Sequence, residues 1–349
     1  MIRGSELRPG DFVRVRSKED ILATLDERGQ LEGLPFMPEM LAFCGQRLRV
    51  AKRAHKTCDP PSGLEGRRMR KAVHLENIRC DGAAHGGCQA RCLMFWKEAW
   101  LEKIGEHETH SPLISIQSVS RRCNEQDVWA GARDAAREGV SPEPLYVCQS
   151  TQIPFATERL APWDFSQYIE DYTSGNVRLS EITGAFIAFV CQQLINAGLG
   201  LGTPLRLAYN GVQKLRRGVP YPWRRGAVAA GEKTPSAKLD LQPGELVKVK
   251  PYDEILKTIN QEGNNRGMSF DAEMVPYCGG TYRVLDRVNR IINEKSGAMQ
   301  TLKNDCIILD EVVCLACYSE KRRFCPRAIY PYWREIWLER VPREGGPAL

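Results

Sequence analysis

The segment Gly33-Leu34-Pro35-Phe36-Met37-Pro38-Glu39-Met40 returns 234 residues later as Gly267-Met268-Ser269-Phe270-Asp271-Ala272-Glu273-Met274. The same shift aligns residues 7–53 with 241–287 without a gap, and 18 of these 47 positions are identical. After an insertion of three residues, Trp96-Lys97-Glu98-Ala99-Trp100 aligns with Trp333-Arg334-Glu335-Ile336-Trp337. An internal duplication determines the architecture before any local propensity is considered, so the chain is predicted to contain one small module twice.

Each copy of the module begins with a turn signal that is followed by a strand pattern. Pro9-Gly10 precedes Phe12-Val13-Arg14-Val15-Arg16, and Pro243-Gly244 precedes Leu246-Val247-Lys248-Val249-Lys250. Apolar and basic residues alternate in both segments, which indicates a strand with one buried face. Further strands are predicted at 47–52, 72–79, 281–285 and 307–313, and short helices at 18–25 and 252–259.

The strand that is opened by Pro9-Gly10-Asp11 and followed by Val13-Arg14-Val15 resembles SH3-like barrels of the KOW kind. The resemblance implies a small β-barrel in each copy, and such barrels often bind nucleic acid or protein. It is confined to the fold level and identifies no functional family. Because one fold serves many functions, the function has to come from the residues of a site.

Tryptophans and a unique middle region complete the predicted architecture. Trp96 and Trp100 are four residues apart, as on one face of a helix, and the second copy repeats this spacing. Helices are also predicted at 124–138, 164–172 and 180–197, and a linker at 216–238. We therefore predict an α+β chain in which two duplicated small SH3-like β-barrels, each closed by a Cys-rich segment and a Trp helix, flank a mainly helical middle domain. The predicted boundaries are 1–104, 105–215, 216–240 (linker) and 241–349.

Composition and charge favour an ordinary intracellular protein. The chain has 349 residues, of which 42% are hydrophobic and 26% charged, and its net charge is only +6. This charge is below the level that by itself indicates nucleic-acid binding. Residues 1–6 contain no apolar stretch of a secretory signal, which predicts a cytoplasmic, bacterial-type protein. In that compartment, thirteen cysteines indicate thiols and metal ligands rather than disulfides.

One uncharged run, 182–205, is long enough to cross a membrane. Gln192, Gln193 and Asn196 lie within it, and three glycines follow these residues. Polar side chains in the run favour a buried core helix over a membrane partner.

The first copy carries a dense set of metal-binding residue types. Cys80, His85, Cys88 and Cys92 follow the spacing C-x4-H-x2-C-x3-C, and glycines between them allow a tight loop. Cys58 is a further candidate ligand on the preceding loop. The alternative is that these residues are buried thiols without a metal, because cysteine is often buried in protein cores.

The second copy has a related but different set. Cys314, Cys317 and Cys325 follow the spacing C-x2-C-x7-C, and Cys306 is a candidate fourth ligand. Three cysteine positions are shared between the copies, in the pairs Cys44 and Cys278, Cys80 and Cys314, and Cys88 and Cys325. This pattern suits two diverged metal sites, or one active site and one that is decaying. For Cys44, Cys278 and the isolated Cys123, Cys148 and Cys191, simple burial is the favoured interpretation.

Two cofactors and two functions follow from these ligand sets. Four Cys and His ligands suit structural zinc, whereas three cysteines with a variable fourth ligand suit an iron–sulfur cluster. The first functional hypothesis is a metal-binding accessory protein whose duplicated barrels bind a protein, carrier or nucleic-acid partner. The alternative is an iron–sulfur or open-site metalloenzyme in a biosynthetic pathway. A pocket that joins Cys148 to the segment 80–92 would favour the enzyme, but no catalytic motif in the sequence decides whether the chain is one.

Overall fold

A computed structural model of the chain describes residues 6–105, 123–134, 143–197 and 202–342. The chain divides into two compact units. Unit 1 contains the residues up to Arg178 together with Arg290–Thr301 and Glu320–Ala328. Unit 2 contains Leu179–Asn289, Leu302–Ser319 and the residues from Ile329 onward. The division after Arg178 falls inside the region that was predicted to be the middle domain.

Unit 1 is a mixed α+β structure built on a curled half-barrel sheet. Its strands are β1 (Phe12–Val15), β2 (Gln30–Leu31), β3 (Leu34–Pro35), β4 (Arg47–Arg53), β5 (Lys56–Asp59), β6 (Glu65–Arg68), β7 (Ala72–Arg79), β8 (Leu93–Lys97), β9 (Leu101–Ile104) and β10 (Glu158–Arg159). Its helices are α1 (Lys18–Leu22), α2 (Glu125–Gly131), α3 (Gln149–Ala156) and α4 (Ser166–Thr173), with 3-10 turns at Pro38–Phe43, Pro60–Ser62, Glu98–Trp100 and Glu320–Arg322. The half-barrel has the strand order β8-β7-β4-β1-β9, and a smaller sheet has the order β10-β6-β5.

Unit 2 carries the second curled half-barrel sheet, in the order β15-β14-β11-β16. The strands are β11 (Leu246–Val249), β12 (Asn264–Asn265), β13 (Met268–Ser269), β14 (Thr281–Ile292), β15 (Met299–Leu309) and β16 (Leu338–Arg340). The helices are α5 (Leu179–Asn196), α6 (Gly202–Leu215) and α7 (Tyr252–Leu256), with 3-10 turns at Ala272–Tyr277 and Glu335–Trp337. Residues 290–301 of β14 and β15 are counted in unit 1.

Strand pairing repeats with the shift seen in the sequence. In β1 and β4, Val13 pairs with Leu48, and in β11 and β14, Val247 pairs with Tyr282. Val13 and Val247 are fully buried, so the alternation in the sequence has been confirmed as a one-sided strand in both copies. The two sheets are half-barrels, and the closed SH3-like barrel stays a prediction.

The same aromatic cluster holds each half-barrel together. In the first copy, the ring of Phe36 lies edge-on to Trp96 at 6.2 Å and to Trp100 at 5.1 Å. In the second copy, Phe270 stands in the same relation to its two tryptophans, at 6.2 Å and 5.3 Å. All four indoles are fully buried, and edge-to-face contacts of this kind stabilise a core beyond the area that they bury.

The prediction of a Trp helix was wrong. Trp96 lies on β8, and Glu98–Trp100 forms a single 3-10 turn before β9 begins at Leu101. Trp333 likewise bridges to Ile307 in an extended conformation before the turn Glu335–Trp337. A strand followed by a tight turn brings two tryptophans four residues apart onto one side of the chain, just as a helix would.

The prediction of a buried helix within 182–205 was also wrong about burial. α5 forms as predicted, but it packs against α6 in a hairpin and has no buried residue, and Phe186 and Ile187 are each 61% exposed. A two-helix hairpin cannot cover every side of a helix that is apolar on most of its circumference. Within the described ranges, no helix is long and apolar enough to cross a membrane.

Candidate metal centre

Unit 1 encloses a small cavity of about 30 Å³ whose walls carry four thiols and one imidazole. The sulfur and nitrogen donors belong to Cys80, Cys88, Cys92, Cys148 and His85. Apolar side chains, including Met37, Met94, Phe95 and Ile292, form much of the remaining wall. Such a shell limits water access and strengthens electrostatic interactions between the groups inside it.

The loop that supplies most of the donors is closed by the sheet. Cys80 directly follows β7 and Cys92 directly precedes β8, and the Cys80 amide donates to the Cys92 carbonyl at 2.9 Å. The loop turns back at Gly82, whose φ is +76°. A Cβ atom on Gly82 would overlap the carbonyl oxygen of Cys88, so this position requires glycine.

His85 is held in an orientation that suits a metal ligand. Its Nε2 atom lies 3.3 Å from the Cys80 sulfur, and its Nδ1 atom lies 3.2 Å from the Glu39 carboxylate. The Ala84 amide donates to the same carboxylate oxygen at 3.2 Å. Metal-binding histidines usually place their second ring nitrogen against a carboxylate, which fixes the ring and its tautomer. Glu39 is therefore placed to orient His85.

Charge also favours this pair. Burial by itself would raise the pKa of the Glu39 carboxyl, but the close contact with His85 and the Ala84 amide outweighs burial and lowers this pKa. Glu39 is thus an anion next to the imidazole. An anionic neighbour makes the imidazole a stronger donor to a cation on its other side.

Cys148 was not among the predicted ligands, although a pocket that joins it to segment 80–92 was named as the sign of an enzyme. It is the N-cap of α3, and burial raises the pKa of its thiol to about 12. The next residue, Gln149, accepts from the Phe95 amide at 2.8 Å and donates to the Phe95 carbonyl at 2.8 Å. The side chain of Gln149 therefore pairs with β8 as a neighbouring strand would, and this contact brings Cys148 to the loop.

The remaining thiols are positioned by hydrogen bonds. Ser150 donates to the Cys92 sulfur at 3.4 Å, and the Ile292 amide donates to the Cys88 sulfur at 3.4 Å. Burial raises the pKa of Cys88 and, much further, that of Cys80. Without a bound cation these thiols are protonated, so a metal that binds here has to displace protons.

A buried arginine stands behind the thiols. Arg327 is 2% exposed, donates to the Ser150 hydroxyl at 2.8 Å and pairs with Glu294 at 2.8 Å. Burial alone would lower the pKa of this guanidinium, but Glu294 outweighs burial and raises it. Arg327 therefore places a permanent positive charge behind the hydroxyl that contacts Cys92.

The other predicted ligands do not line this cavity. Cys58 is fully buried on β5, outside the cavity, and a hydrogen bond with the thiol of Cys325 raises its pKa. Cys306 is buried on β15 and donates to the Asn304 carbonyl at 3.5 Å. Cys317 is exposed and donates to the Leu315 carbonyl at 3.4 Å.

Of the predicted set, Cys80, His85, Cys88 and Cys92 line the same cavity, together with Cys148, and Cys58 pairs with Cys325. Within the described part of the chain, one group of three or more side chains has metal-binding atoms close together, namely Glu39, Cys80 and His85. Cys314 and its neighbours in unit 2 do not form a second such group among those residues.

Comparison with known proteins identified no relative for this arrangement. No protein-family model, no curated protein and no solved structure matches the chain. Function has to be argued from the geometry and chemistry of the site itself.

Proposed function

We propose that unit 1 is a metal-binding module that holds one zinc-like divalent ion in the cavity. Cys80, His85 and Cys92 would be three of the ligands, with Cys88 or Cys148 as the fourth. The observation that carries the proposal is that ligand atoms of Glu39, Cys80 and His85 lie within 4.8 Å of one another, beside a cavity whose wall also carries the thiols of Cys88, Cys92 and Cys148. Thiolate and imidazole together are the donors that zinc prefers.

The number of donors favours a structural role for the ion. A tetrahedral ion has four positions, and the cavity wall offers four sulfurs and one imidazole nitrogen. No position would then remain for water or substrate. An ion in a closed site of this kind stabilises the fold that supplies its ligands.

The size of the cavity favours one ion over a cluster. A volume of about 30 Å³ is that of roughly two water-sized spheres. A single ion needs no more space than this. A [4Fe–4S] cube, with four irons and four sulfides, would require the walls to move apart.

A second candidate function is an iron–sulfur enzyme. It is favoured by one specific observation, which is that Cys148 lies in the same cavity as Cys80, Cys88 and Cys92. Four cysteines are the usual ligand number of a [4Fe–4S] cluster. In this case His85 would be a neighbour of the cluster, and a displaced cysteine would open an iron to substrate.

The wider role that we propose is that of a cytoplasmic accessory protein. A reducing compartment keeps thiols available to a metal. The metal would hold unit 1 in shape, and the duplicated half-barrels would bind a protein, carrier or nucleic-acid partner. The KOW-type SH3-like relationship of the half-barrels belongs to the same proposal.

Metal analysis of the full chain, purified without oxygen and with a visible spectrum, tests these alternatives. We expect about one zinc per chain and no colour. Iron with acid-labile sulfide in equal amounts would favour the enzyme instead. The absence of both metals would contradict the site.

The variant Cys148→Ser, compared with Cys123→Ser, tests the donor set. Cys123 is also buried in unit 1, but it lies outside the cavity and contacts the carbonyl of its neighbour. We expect Cys148→Ser to weaken metal binding and Cys123→Ser to leave it unchanged. Equal metal affinity in the two variants would remove Cys148 from the proposed set.

A further inference from the structure

Unit 2 contains an open polar pocket of about 360 Å³ beside the second half-barrel. Five basic and two acidic side chains line it, which gives a net charge of +3 (5 − 2). The basic residues are Lys238, Arg266, Arg287, Lys303 and Arg334, and the acidic residues are Asp305 and Glu335. A concave surface with excess positive charge attracts anions.

Two of the five basic side chains that line the pocket are available to a ligand. Lys238 and Lys303 are exposed, and neither side chain has a hydrogen-bond or ion-pair partner among the described residues. Arg334 is buried, and its terminal nitrogens donate to the carbonyls of Asn304 and Arg266. The pocket therefore has unused donors for an anion.

The first copy shows what covers the equivalent surface there. Arg53 is the counterpart of Arg287, and both pair with the glutamate of the adjoining 3-10 turn, at 2.9 Å and 2.8 Å. Both also donate to the carbonyl of the leucine that opens the copy. The two arginines thus occupy the same place in the two copies.

In the first copy, a segment of the same chain lies over this arginine. Glu170 of α4 pairs with Arg53 at 3.4 Å. The side chain of Asn176 binds the Arg53 backbone, accepting from its amide at 2.9 Å and donating to its carbonyl at 2.7 Å. Next to them, Asp171 pairs with Lys56 at 2.6 Å. The cover of the first copy is therefore an acidic segment with an amide.

The charges around the second copy have changed in the direction that an acidic ligand requires. Glu32 of the first copy pairs with Lys97 at 2.7 Å. Arg266 stands at the position of Glu32, so the acid of this pair is replaced by a cation. Lys303 stands at the position of the buried Met69. The second copy has lost one acid and gained two cations near Arg287.

We propose that this pocket binds an acidic peptide segment of a partner protein. Carboxylates of the segment would pair with Lys238 and Lys303, as Glu170 and Asp171 pair with cations of the first copy. The first copy supplies the reason for a peptide, because its cover is a peptide segment that uses carboxylates together with backbone contacts. The inference is independent of the metal in unit 1.

The binding of a fluorescein-labelled octaglutamate peptide to the full chain, followed by fluorescence anisotropy, tests the proposal. We expect saturable binding that weakens with added salt. Each removed surface ion pair costs about two- to fivefold in affinity. We therefore expect a clear loss in the double variant Lys238→Gln, Lys303→Met, in which the second change restores the residue of the first copy.

Two controls separate this site from general charge attraction. Lys257→Gln removes an exposed cation outside the pocket and is expected to leave affinity unchanged. A labelled octaglutamine peptide is expected not to bind. Absence of binding by octaglutamate, or equal loss in the Lys257 variant, would overturn the proposal. Displacement by inorganic tripolyphosphate at far lower concentration than by unlabelled octaglutamate would also overturn it, by making phosphate the ligand.

Discussion

The two copies of the module share one frame, which is the half-barrel sheet with its aromatic cluster, and they differ in the loop that contacts a shared glutamate. Glu39 and Glu273 stand at the same position and both accept hydrogen bonds from the loop that follows the third long strand. In the first copy, the carboxylate faces His85 and the Ala84 amide. In the second copy, it accepts from three consecutive amides, those of residues 317–319, at 3.0, 2.7 and 3.2 Å.

The difference shows that a carboxylate at one position of the module can either orient a side chain of a site or hold the backbone of a loop. Which of the two it does depends on the loop that contacts it. Where the loop carries a histidine, the carboxylate orients a side chain towards a cavity of thiols. Where the loop is longer by three residues and lacks the histidine, the carboxylate secures the backbone. Loops on a fixed frame are where function diverges, because the frame tolerates their change.

The contrast between the two copies would be wrong if the second copy also bound the metal. We expect Cys80→Ser to abolish metal binding, from about one ion per chain to none, because it removes the ligand nearest to His85. The counterpart variant Cys314→Ser is expected to keep its metal. Metal analysis after gel filtration measures both, and loss of metal in the Cys314 variant alone would reverse the assignment of the copies.

A buried histidine makes the first copy sensitive to acid. His74 donates from Nδ1 to the Met94 carbonyl at 2.9 Å and is fully buried, while its Nε2 has no partner. Burial lowers its pKa from 6.5 to about 4. The folded state therefore binds fewer protons than the unfolded state, so the stability that His74 contributes is complete above pH 6.5 and is lost as the pH falls towards 4.

The second copy has Ile308 at this position, which makes His74→Ile a matched test. The lowered pKa predicts that the wild type loses about 3 kcal/mol of unfolding free energy between pH 6.5 and pH 4 that the variant does not lose. Urea unfolding at several pH values measures the difference. Parallel curves for the two proteins would show that His74 is not held in its neutral form.

Matched substitutions of Glu39 and Glu273 test the different roles of the two carboxylates. Glu39→Gln leaves the shape of the side chain but removes the charge that orients His85, and loss of such a partner costs about 10- to 100-fold in metal affinity. Glu273→Gln is expected to leave metal affinity unchanged and to lower stability by about 1 to 3 kcal/mol, because both carboxylate oxygens accept from amides and the NH2 group of glutamine cannot accept. Competition with a chromophoric chelator measures the affinities. Equal affinity in both variants would contradict the role of Glu39.

The smallest effect is expected where the copies agree. Trp100 donates to Thr24 at 3.1 Å, and Trp337 donates to Thr258 at 2.9 Å. Each change to valine removes the hydrogen bond from the tryptophan and the one that the threonine hydroxyl donates to the carbonyl of Ile21 or Ile255. Thr24→Val and Thr258→Val are therefore expected to cost about 1 to 2 kcal/mol each. Thermal unfolding of the two variants should show similar losses. A loss confined to one copy would mean that the frames are not equivalent.

The sequence predicted the frame better than the site. Strands at 47–52 and 72–79 were identified because alternation along a strand reflects burial on one side, and β4 and β7 confirm both. The turn at Trp100 was misread because the spacing of four residues does not distinguish a helix from a strand and turn. The exposure of α5 was missed because an apolar composition does not say whether another element covers the helix.

The donor loop was visible in the sequence because its members are close together in the chain. Cys148 was not visible as a ligand, since it lies 56 positions after Cys92 and no local pattern marks it. Its place depends on Gln149, whose amide binds β8, and such a contact leaves no trace in spacing. Cys58 was predicted as a ligand for its nearness along the chain, but β5 directs it towards Cys325.

The contact between Gln149 and β8 makes the cavity depend on a part of the chain outside the repeated module. Residues 6–105 carry three of the four thiols of the cavity wall, and the fourth, Cys148, belongs to the region between the two copies. A fragment limited to the repeated module would therefore lack one wall of its own cavity.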